Sequence, residues 1–403
     1  MKSMSNKKRI FILISDLNMG GAQKSLLSFL RTLVDQYPNK YDIDLMICSG
    51  KGKLLDQVPA EINILRTPKV IEYMWNNYNF VEMINHRSFK GIVGKVYRKI
   101  TKKFFEKKYN ALNDKQITWM QWKRFVNNVP GEYDCAISYL EGTTNYLLVD
   151  KVQATKKILW IHTEYDKFGF DPEFDKYFFS KADIIATISK RCVDNLLKYH
   201  SEYKYKIRLL ENIVSEKILK EMASIYPPAE IKKDCVNILS IGRLNEEKQF
   251  ELAVEAALLL QEDEYKINWM ILGDGPEKEK LQSLIETLKL KNITLLGSKT
   301  NPYPYYLGCD IFVQTSKFEG KSIVLDEAKI FCKPIVVTNY NTVADNISNE
   351  VNGLIVNMNS RDIASGIERL VNDSNLKNCL CMHLKNENNS NEHEIRKYVD
   401  TIN

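Results

Sequence analysis

Apolar runs alternate with amphipathic stretches from one end of this chain to the other. The short continuous runs, rich in Ile, Val and Leu, predict strands buried on both faces, and the stretches after them carry apolar residues at helical spacing. In the first half the strands are expected at 9–14, 42–47, 62–66, 133–138, 157–161, 183–187 and 206–210. In the second half they are expected at 236–241, 267–272, 293–296, 310–314, 334–337 and 353–356. A helical stretch follows most of them, the order that gives parallel sheets with helices on both faces. Each half holds enough strands for its own sheet, so the expected fold class is α/β: two Rossmann-like, doubly wound parallel-sheet domains facing across a cleft. Glu211-Asn212-Ile213 leaves a strand and Tyr226-Pro-Pro-Ala precedes the next, which places the crossing between domains there. The expected division is 1–212 and 213–385, with a C-terminal helix within about 386–403 packing back on the first domain.

Length and composition agree with this: 403 residues suit two domains, and 44% hydrophobic with 27% charged residues leaves ample core. No apolar run is long enough to span a bilayer. The basic start Met1–Arg9 runs through a short apolar segment into Asp16 without a small-residue cleavage site, so no signal peptide is expected. The eight cysteines are scattered, mostly within apolar segments, the pattern of reduced thiols in a cytoplasmic protein. Cys379, Cys381 and His383 alternate along a helical segment and would point apart, so no metal site is expected from them.

Charge changes the picture in one place. The net charge is +6, but nine Lys and Arg residues lie between Arg87 and Lys108 against the single acid Glu106. Phe89, Ile92, Val93, Val96, Ile100 and Phe104 recur among them at helical spacing. Such a basic amphipathic helix either lies peripherally on an anionic membrane, here the inner face of the cell membrane, or packs its apolar stripe on its own domain. No nucleic-acid-binding motif accompanies it, so nucleic acid is not an expected partner.

In open parallel sheets ligands bind beyond the carboxyl ends of strands, so the loops after strands are where chemistry belongs. Gly20-Gly21 follows the first strand and heads a helix, where backbone can approach an anion closely. Gly242-Arg243-Leu-Asn-Glu-Glu-Lys248 does the same in the second half. An Arg fork with a Lys point charge suits a diphosphate. The alternative is pairing of both cations with Glu246 or Glu247. Next come Glu319-Gly320-Lys321-Ser322 and Glu327, with Glu319 in a loop and Glu327 about a turn and a half into a helix. Gly-Lys-Ser imitates the end of a P-loop, but Thr315 stands where that motif needs its earlier glycine. The two carboxylates could hold parts of one ligand, work as an acid/base pair, or be structural, with Glu319 capping the helix and Glu327 solvated. In the first half, His162 and Glu141-Gly142 each end a strand. Gly273-Asp-Gly-Pro276 reads as a tight turn. Asp42-Ile-Asp44 spells a D-x-D but lies inside a strand, away from any ligand.

In order and spacing these pieces resemble the retaining glycosyltransferases of family 4, which have the GT-B architecture. The marks are Ser240-Ile-Gly-Arg-Leu with Lys248, Gly273-Asp-Gly-Pro, Leu296-Gly-Ser-Lys-Thr-Asn-Pro-Tyr-Pro-Tyr, Glu319 with Glu327, Lys333-Pro-Ile-Val-Val and Asn352-Gly-Leu-Ile-Val. Gly-Gly-Ala-Gln-Lys-Ser-Leu, Ile137-Ser-Tyr-Leu-Glu-Gly and Trp160-Ile-His-Thr add to them and look like transferases of bacterial capsule, exopolysaccharide and other surface-glycan synthesis. The resemblance implies a metal-independent enzyme without a cofactor, moving a sugar from a nucleoside-diphosphate sugar, with UDP expected, to a glycan or polyprenyl-diphosphate-linked acceptor. It gives the C-terminal domain the donor and the N-terminal domain the acceptor.

Residue by residue, it implies that Glu327 holds the ribose, while Glu319 and the amides of Gly320, Lys321 and Ser322 hold the sugar. Arg243 and Lys248 neutralise the diphosphate beside Gly242 and Gly273, and Gly20 and Gly21 approach it from the other domain. The backbone near Ser298 and Lys299 meets the base. His162 reaches the sugar, with Glu141 and Gly142 on the acceptor side. Lys321-Ser322 and Asn339-Tyr-Asn-Thr depart from the commoner family pattern at positions that read the sugar. Two other readings stay open: a sugar-nucleotide epimerase of the same fold, and a non-catalytic transferase-like binding subunit.

Overall fold

The computed structural model describes residues 7–18, 20–76, 78, 82, 89–319, 322–387 and 389–403. Its strands are β1 (Lys8–Ile14), β2 (Tyr41–Ile47), β3 (Asn63–Leu65), β4 (Glu132–Ser138), β5 (Gln153–Ile161), β6 (Ile184–Thr187) and β7 (Ile207–Leu209), then β8 (Val236–Ile241), β9 (Ile267–Leu272), β10 (Ile293–Leu295), β11 (Ile311–Gln314), β12 (Ile335–Thr338) and β13 (Leu354–Val356). Every apolar run read as a strand is one. The largest difference is at β5, which starts at Gln153 because its polar first half pairs with β4 from Glu132 onward. Hydrogen bonding to a neighbour sets that end, and apolar pattern does not record it.

The chain divides into two compact units, one of residues 1–213 with 392–403 and the other of residues 214–391. The first unit holds a seven-stranded sheet in the order β3-β2-β1-β4-β5-β6-β7 and the second a six-stranded sheet in the order β10-β9-β8-β11-β12-β13. All the pairings described are parallel. This is the pair of Rossmann-like sheets of the GT-B architecture.

Strict alternation of side chains explains why the strands are apolar throughout. Ile10, Ile12 and Ile14 of β1 pack into one layer with Leu26, Phe29 and Leu30 of helix Gly21–Gln36, while Phe11 and Leu13 pack into the other with Trp119 and Leu147. The second unit repeats this arrangement, with Ile238 facing one layer and Leu239 the other. The C-terminal helix Ile395–Ile402 joins the first unit by its buried face of Ile395, Tyr398, Val399 and Ile402. Tyr398 packs on Phe29 and Trp160 and donates its hydroxyl to the Glu211 carbonyl at 2.7 Å.

In each sheet the strand order reverses beside the first strand of its unit, between β1 and β4 and between β8 and β11. At such a switch point the loops leave in opposite directions and open a crevice at the carboxyl ends. Gly20-Gly21 and Glu141-Gly142 follow β1 and β4. Gly242–Lys248 and Glu319 follow β8 and β11.

Candidate functional site

In the second unit two strand-end loops are stitched together by backbone. The Leu244 amide donates to the Asp274 carbonyl at 3.1 Å, and the Glu277 amide donates to the Leu244 carbonyl at 3.0 Å. Glycine makes this approach possible. A Cβ on Gly273 would lie 1.8 Å from the Gly242 carbonyl oxygen, and one on Gly275 would lie 2.3 Å from that of Leu244. The Gly273-Asp-Gly-Pro segment is therefore more than a turn: it is the surface on which the Arg243 loop rests. Arg243 itself is exposed, with no ion pair among the described residues. Gln249, in the left-handed conformation (φ 47°), turns the chain into helix Phe250–Glu262, so Lys248 stands just before the helix rather than in its first turn.

Lys248 pairs with neither Glu246 nor Glu247. Its ammonium donates to Oε1 of Glu319, across from the loop after β11. The same oxygen accepts from Gln314 Nε2 at 2.7 Å and from Ser316 Oγ at 2.7 Å. Further bonds fix the loops to each other: Thr315 Oγ1 to the Lys248 carbonyl at 2.8 Å, the Lys317 amide to the Glu247 carbonyl at 2.8 Å, and Thr342 Oγ1 to the Glu319 carbonyl at 2.7 Å. Among the described residues, the three donors to the Glu319 carboxylate all meet one oxygen, Oε1, and none of them meets Oε2. Beneath it, Gln314 Nε2 also donates to Ser322 Oγ at 2.9 Å, and Tyr340 donates to Gln314 Oε1 at 3.4 Å. Burial, then the nearby Glu319 and Asp326 carboxylates, push the Tyr340 hydroxyl well above its ordinary pKa, so it serves as a neutral donor.

Glu327 is the fifth residue of helix Ile323–Ile330 and only 2% exposed, which removes the solvated reading. Its two oxygens accept from Tyr303 at 3.1 Å and Tyr306 at 2.9 Å. Glu319 does not cap that helix; Ser322 stands at its N-cap position and makes no side-chain capping bond. Gly320 and Lys321 lie outside the described residues. The ammonium of Lys299 is engaged by Glu230 at 3.2 Å and lies over the Tyr305 ring at 5.5 Å. What that loop leaves open is backbone around Gly297, held at φ 70° with free space where a Cβ would be.

Gln314, Tyr303, Tyr306 and Tyr340 carry roles that the sequence reading did not assign. A signal existed for three of them. Gln314 is a polar residue at the carboxyl end of an otherwise apolar strand, and Tyr303 and Tyr306 are three apart on a helix, hence on one face.

In the first unit Gly20 precedes helix Gly21–Gln36 in extended conformation, with no side chain capping the first amides. Ser25 of that helix donates to Asn212 at 2.7 Å and is 2.9 Å from the Tyr139 hydroxyl. The Glu141 carboxylate accepts from the His162 amide at 3.0 Å, which joins the ends of β4 and β5. The His162 ring is buried against Tyr139 and Trp160, and neither ring nitrogen has a hydrogen bond of good geometry among the described residues. Asp42-Ile-Asp44 is structural: Asp44 accepts from Tyr133 at 2.9 Å and Asn63 at 2.6 Å.

Burial lowers the His162 pKa to about 3, an effect only partly offset by the Tyr139 backbone. The folded protein therefore holds this ring neutral, while the unfolded chain protonates it below about pH 6.5. Stability from this group is complete above pH 6.5 and declines as pH falls toward 3. In His162→Phe the acid-side decline becomes shallower, by about 2 kcal/mol between pH 7 and pH 5. Urea unfolding at the two pH values checks it, and parallel losses in both proteins would refute the assignment.

Residues 225–386 match the family model described as glycosyl transferases group 1. Among curated proteins, the chain is 31% identical over 225 residues to an N-acetylgalactosamine-N,N'-diacetylbacillosaminyl-diphospho-undecaprenol 4-alpha-N-acetylgalactosaminyltransferase of Campylobacter jejuni, covering 53% of this chain and 58% of that one. It is 32% identical over 136 residues to a poly(ribitol-phosphate) alpha-N-acetylglucosaminyltransferase of Staphylococcus aureus, covering 33% of this chain and 28% of that one. The chain thus spans little more than half the length of the first and under a third of the second. Among solved structures, Anabaena HepE in complex with UDP-glucose superposes with a TM-score of 0.64 at 14% identity, covering 98% of each chain. A glycosyltransferase from Rickettsia africae gives 0.63 at 17% identity, again covering 98% of each. The chain has the GT-B fold, and its second unit carries the sequence pattern of the group 1 glycosyl transferases.

Proposed function

We propose that this chain is a retaining, metal-independent glycosyltransferase. It moves a sugar from a nucleoside-diphosphate sugar, with UDP as the expected nucleotide, to a glycan or lipid-linked acceptor in the synthesis of a bacterial capsule, exopolysaccharide or other surface glycan. The observation that carries the reading is the carboxylate of Glu319. One oxygen is held by Lys248, Gln314 and Ser316, and no donor among the described residues meets the other, which would accept a hydroxyl of the sugar. A carboxylate fixed in this way is prepared for a polyol such as a sugar, and it sits beside a lysine and an exposed arginine suited to a diphosphate.

Breaking the anomeric C–O bond leaves a nucleoside diphosphate anion and an oxocarbenium-like sugar. Arg243 and Lys248 would stabilise the departing charge, the work that a metal ion does elsewhere. Lys248 has three N–H donors and can serve Glu319 and a phosphate together. With Glu319 committed to the sugar's hydroxyls, the acceptor would attack on the face that the diphosphate leaves, which retains configuration. Glu327, oriented by Tyr303 and Tyr306, would hold the ribose hydroxyls. In the first unit, His162 would meet the sugar, and Glu141-Gly142 the acceptor.

The basic helix supports a peripheral place on the cytoplasmic face of the membrane. Helix Phe89–Lys108 buries Gly91, Gly94 and Phe105, while Phe89 is 78%, Ile100 76% and Phe104 60% exposed. Phe89, Val93, Val96, Ile100 and Phe104 face out between lysines, while Ile92 of the same stripe packs on the core of the first unit. Arg87 lies outside the described residues. Among those described, no helix is long and apolar enough to cross a membrane.

Two outcomes are expected. Across a panel of nucleotide sugars, one raises the thermal midpoint and is slowly hydrolysed, and Arg243→Ala lowers its turnover by about a hundredfold while the protein stays folded. Near-normal turnover in that variant would remove Arg243 from the site. Separately, the protein co-sediments with vesicles containing anionic lipid, and charge reversal at Lys99, Lys102 and Lys103 releases it. Unchanged co-sedimentation would refute the membrane role.

A further inference from the structure

Ser322 stands at the N-cap position of helix Ile323–Ile330, yet its hydroxyl caps nothing. Serine is among the best residues for that task, because its oxygen can accept from a first-turn amide. Two other serines of this chain do so: Ser189 accepts from the Cys192 amide and Ser215 from the Ile218 amide, each at 3.2 Å. The difference at Ser322 is Gln314, the last residue of β11, buried as Ser322 is. Its Nε2 donates to Ser322 Oγ at 2.9 Å and to Glu319 Oε1 at 2.7 Å. The Ser322 hydroxyl in turn lies 3.3 Å from Gln314 Oε1. Both contacts draw the serine toward the strand and away from its own helix.

Glutamine suits both duties because Nε2 carries two hydrogens in one plane, one for a carboxylate and one for a hydroxyl. Turned the other way, the amide would set Oε1 against the Glu319 carboxylate, two acceptors facing each other. The neutral Tyr340 hydroxyl, 3.4 Å from Oε1, agrees with the first orientation. With the serine drawn to the strand, no side chain caps the first turn of the helix. We infer that Gln314 is a positioning residue of the donor site. With one hydrogen it fixes the carboxylate of Glu319, and with the other it holds the Ser322 hydroxyl off the helix, so that one amide governs both. The effect on ligands rests on the reading of Glu319 as the carboxylate that meets the sugar. The diversion of the serine stands apart from that reading.

The test compares the full chain with Gln314→Met, Ser322→Ala and the double variant; methionine keeps the length of glutamine without its donors. Hydrogen exchange of the amides of 323–326 is first followed without any ligand. In Gln314→Met the released serine caps the helix, and exchange in this turn slows by about threefold or more. Ser322→Ala alone stays within about twofold of the parent, and in the double variant the slowing is lost. Unchanged or faster exchange in Gln314→Met would overturn the diversion of the serine. Affinities for UDP and for a panel of UDP-glucose, UDP-N-acetylglucosamine and UDP-N-acetylgalactosamine are then measured by calorimetry. Gln314→Met is expected to weaken the UDP-sugar that the parent binds by about tenfold and to leave UDP within about twofold. A glutamine that only supports the fold would weaken both alike, and that result would overturn the positioning role. If the parent bound none of the UDP-sugars, the transferase reading would fail for them, while exchange would still decide whether Gln314 holds the serine.

Discussion

Lys248 and Glu319 are 71 residues apart in sequence and come from loops on adjacent strands of one sheet. Both side chains are largely withdrawn from water, so each needs the other. Removing one member of such a pair typically costs about 3–5 kcal/mol, because the remaining charge is left uncompensated. The pair also dictates its surroundings. Gln314 and Ser316 must donate to the same oxygen, Thr315 must tie its loop to the Lys248 backbone, and the loop after β8 must rest on Gly273 and Gly275 at a distance that no Cβ allows. The switch point of the second sheet thereby becomes one bonded unit rather than two independent turns.

Much of this was legible in the chain. Apolar runs located all the strands, since parallel strands are buried on both faces and advertise it. Glycines, an Arg and a Lys after strands, together with two spaced carboxylates, pointed to loops that do lie at the carboxyl ends of the strands. What could not be read was partnership. Spacing alone left Lys248 free to pair with Glu246 or Glu247 as readily as with Glu319, because contacts across a sheet leave no local period. Glu327 likewise gave no sign that two tyrosine hydroxyls would enclose it. The tyrosines stood in the sequence at helical spacing, but their target lay two elements further on.

The basic helix shows the same limit from another side. Its pattern admitted both a solvated helix packed by its stripe and a helix presenting that stripe outward. Gly91, Gly94 and Phe105 are the residues the helix buries, Ile92 packs on the core, and Phe89, Ile100 and Phe104 are exposed, a division that spacing alone does not give. In the first unit, His162 is a buried ring whose nitrogens make no hydrogen bond of good geometry among the described residues; Tyr139 and Trp160 pack against it and burial keeps it neutral.

The two members of the central pair are proposed to have separate duties, the carboxylate for the sugar and the ammonium for the diphosphate. The most direct measurement compares a stabilising nucleotide sugar with its free nucleoside diphosphate, by affinity, in the parent, Glu319→Gln and Lys248→Met. A carboxylate that reads the sugar predicts that Glu319→Gln weakens the nucleotide sugar and spares the free diphosphate, whereas Lys248→Met weakens both. If Glu319→Gln weakened the two ligands equally, or neither, the placement of the sugar on Glu319 would be contradicted.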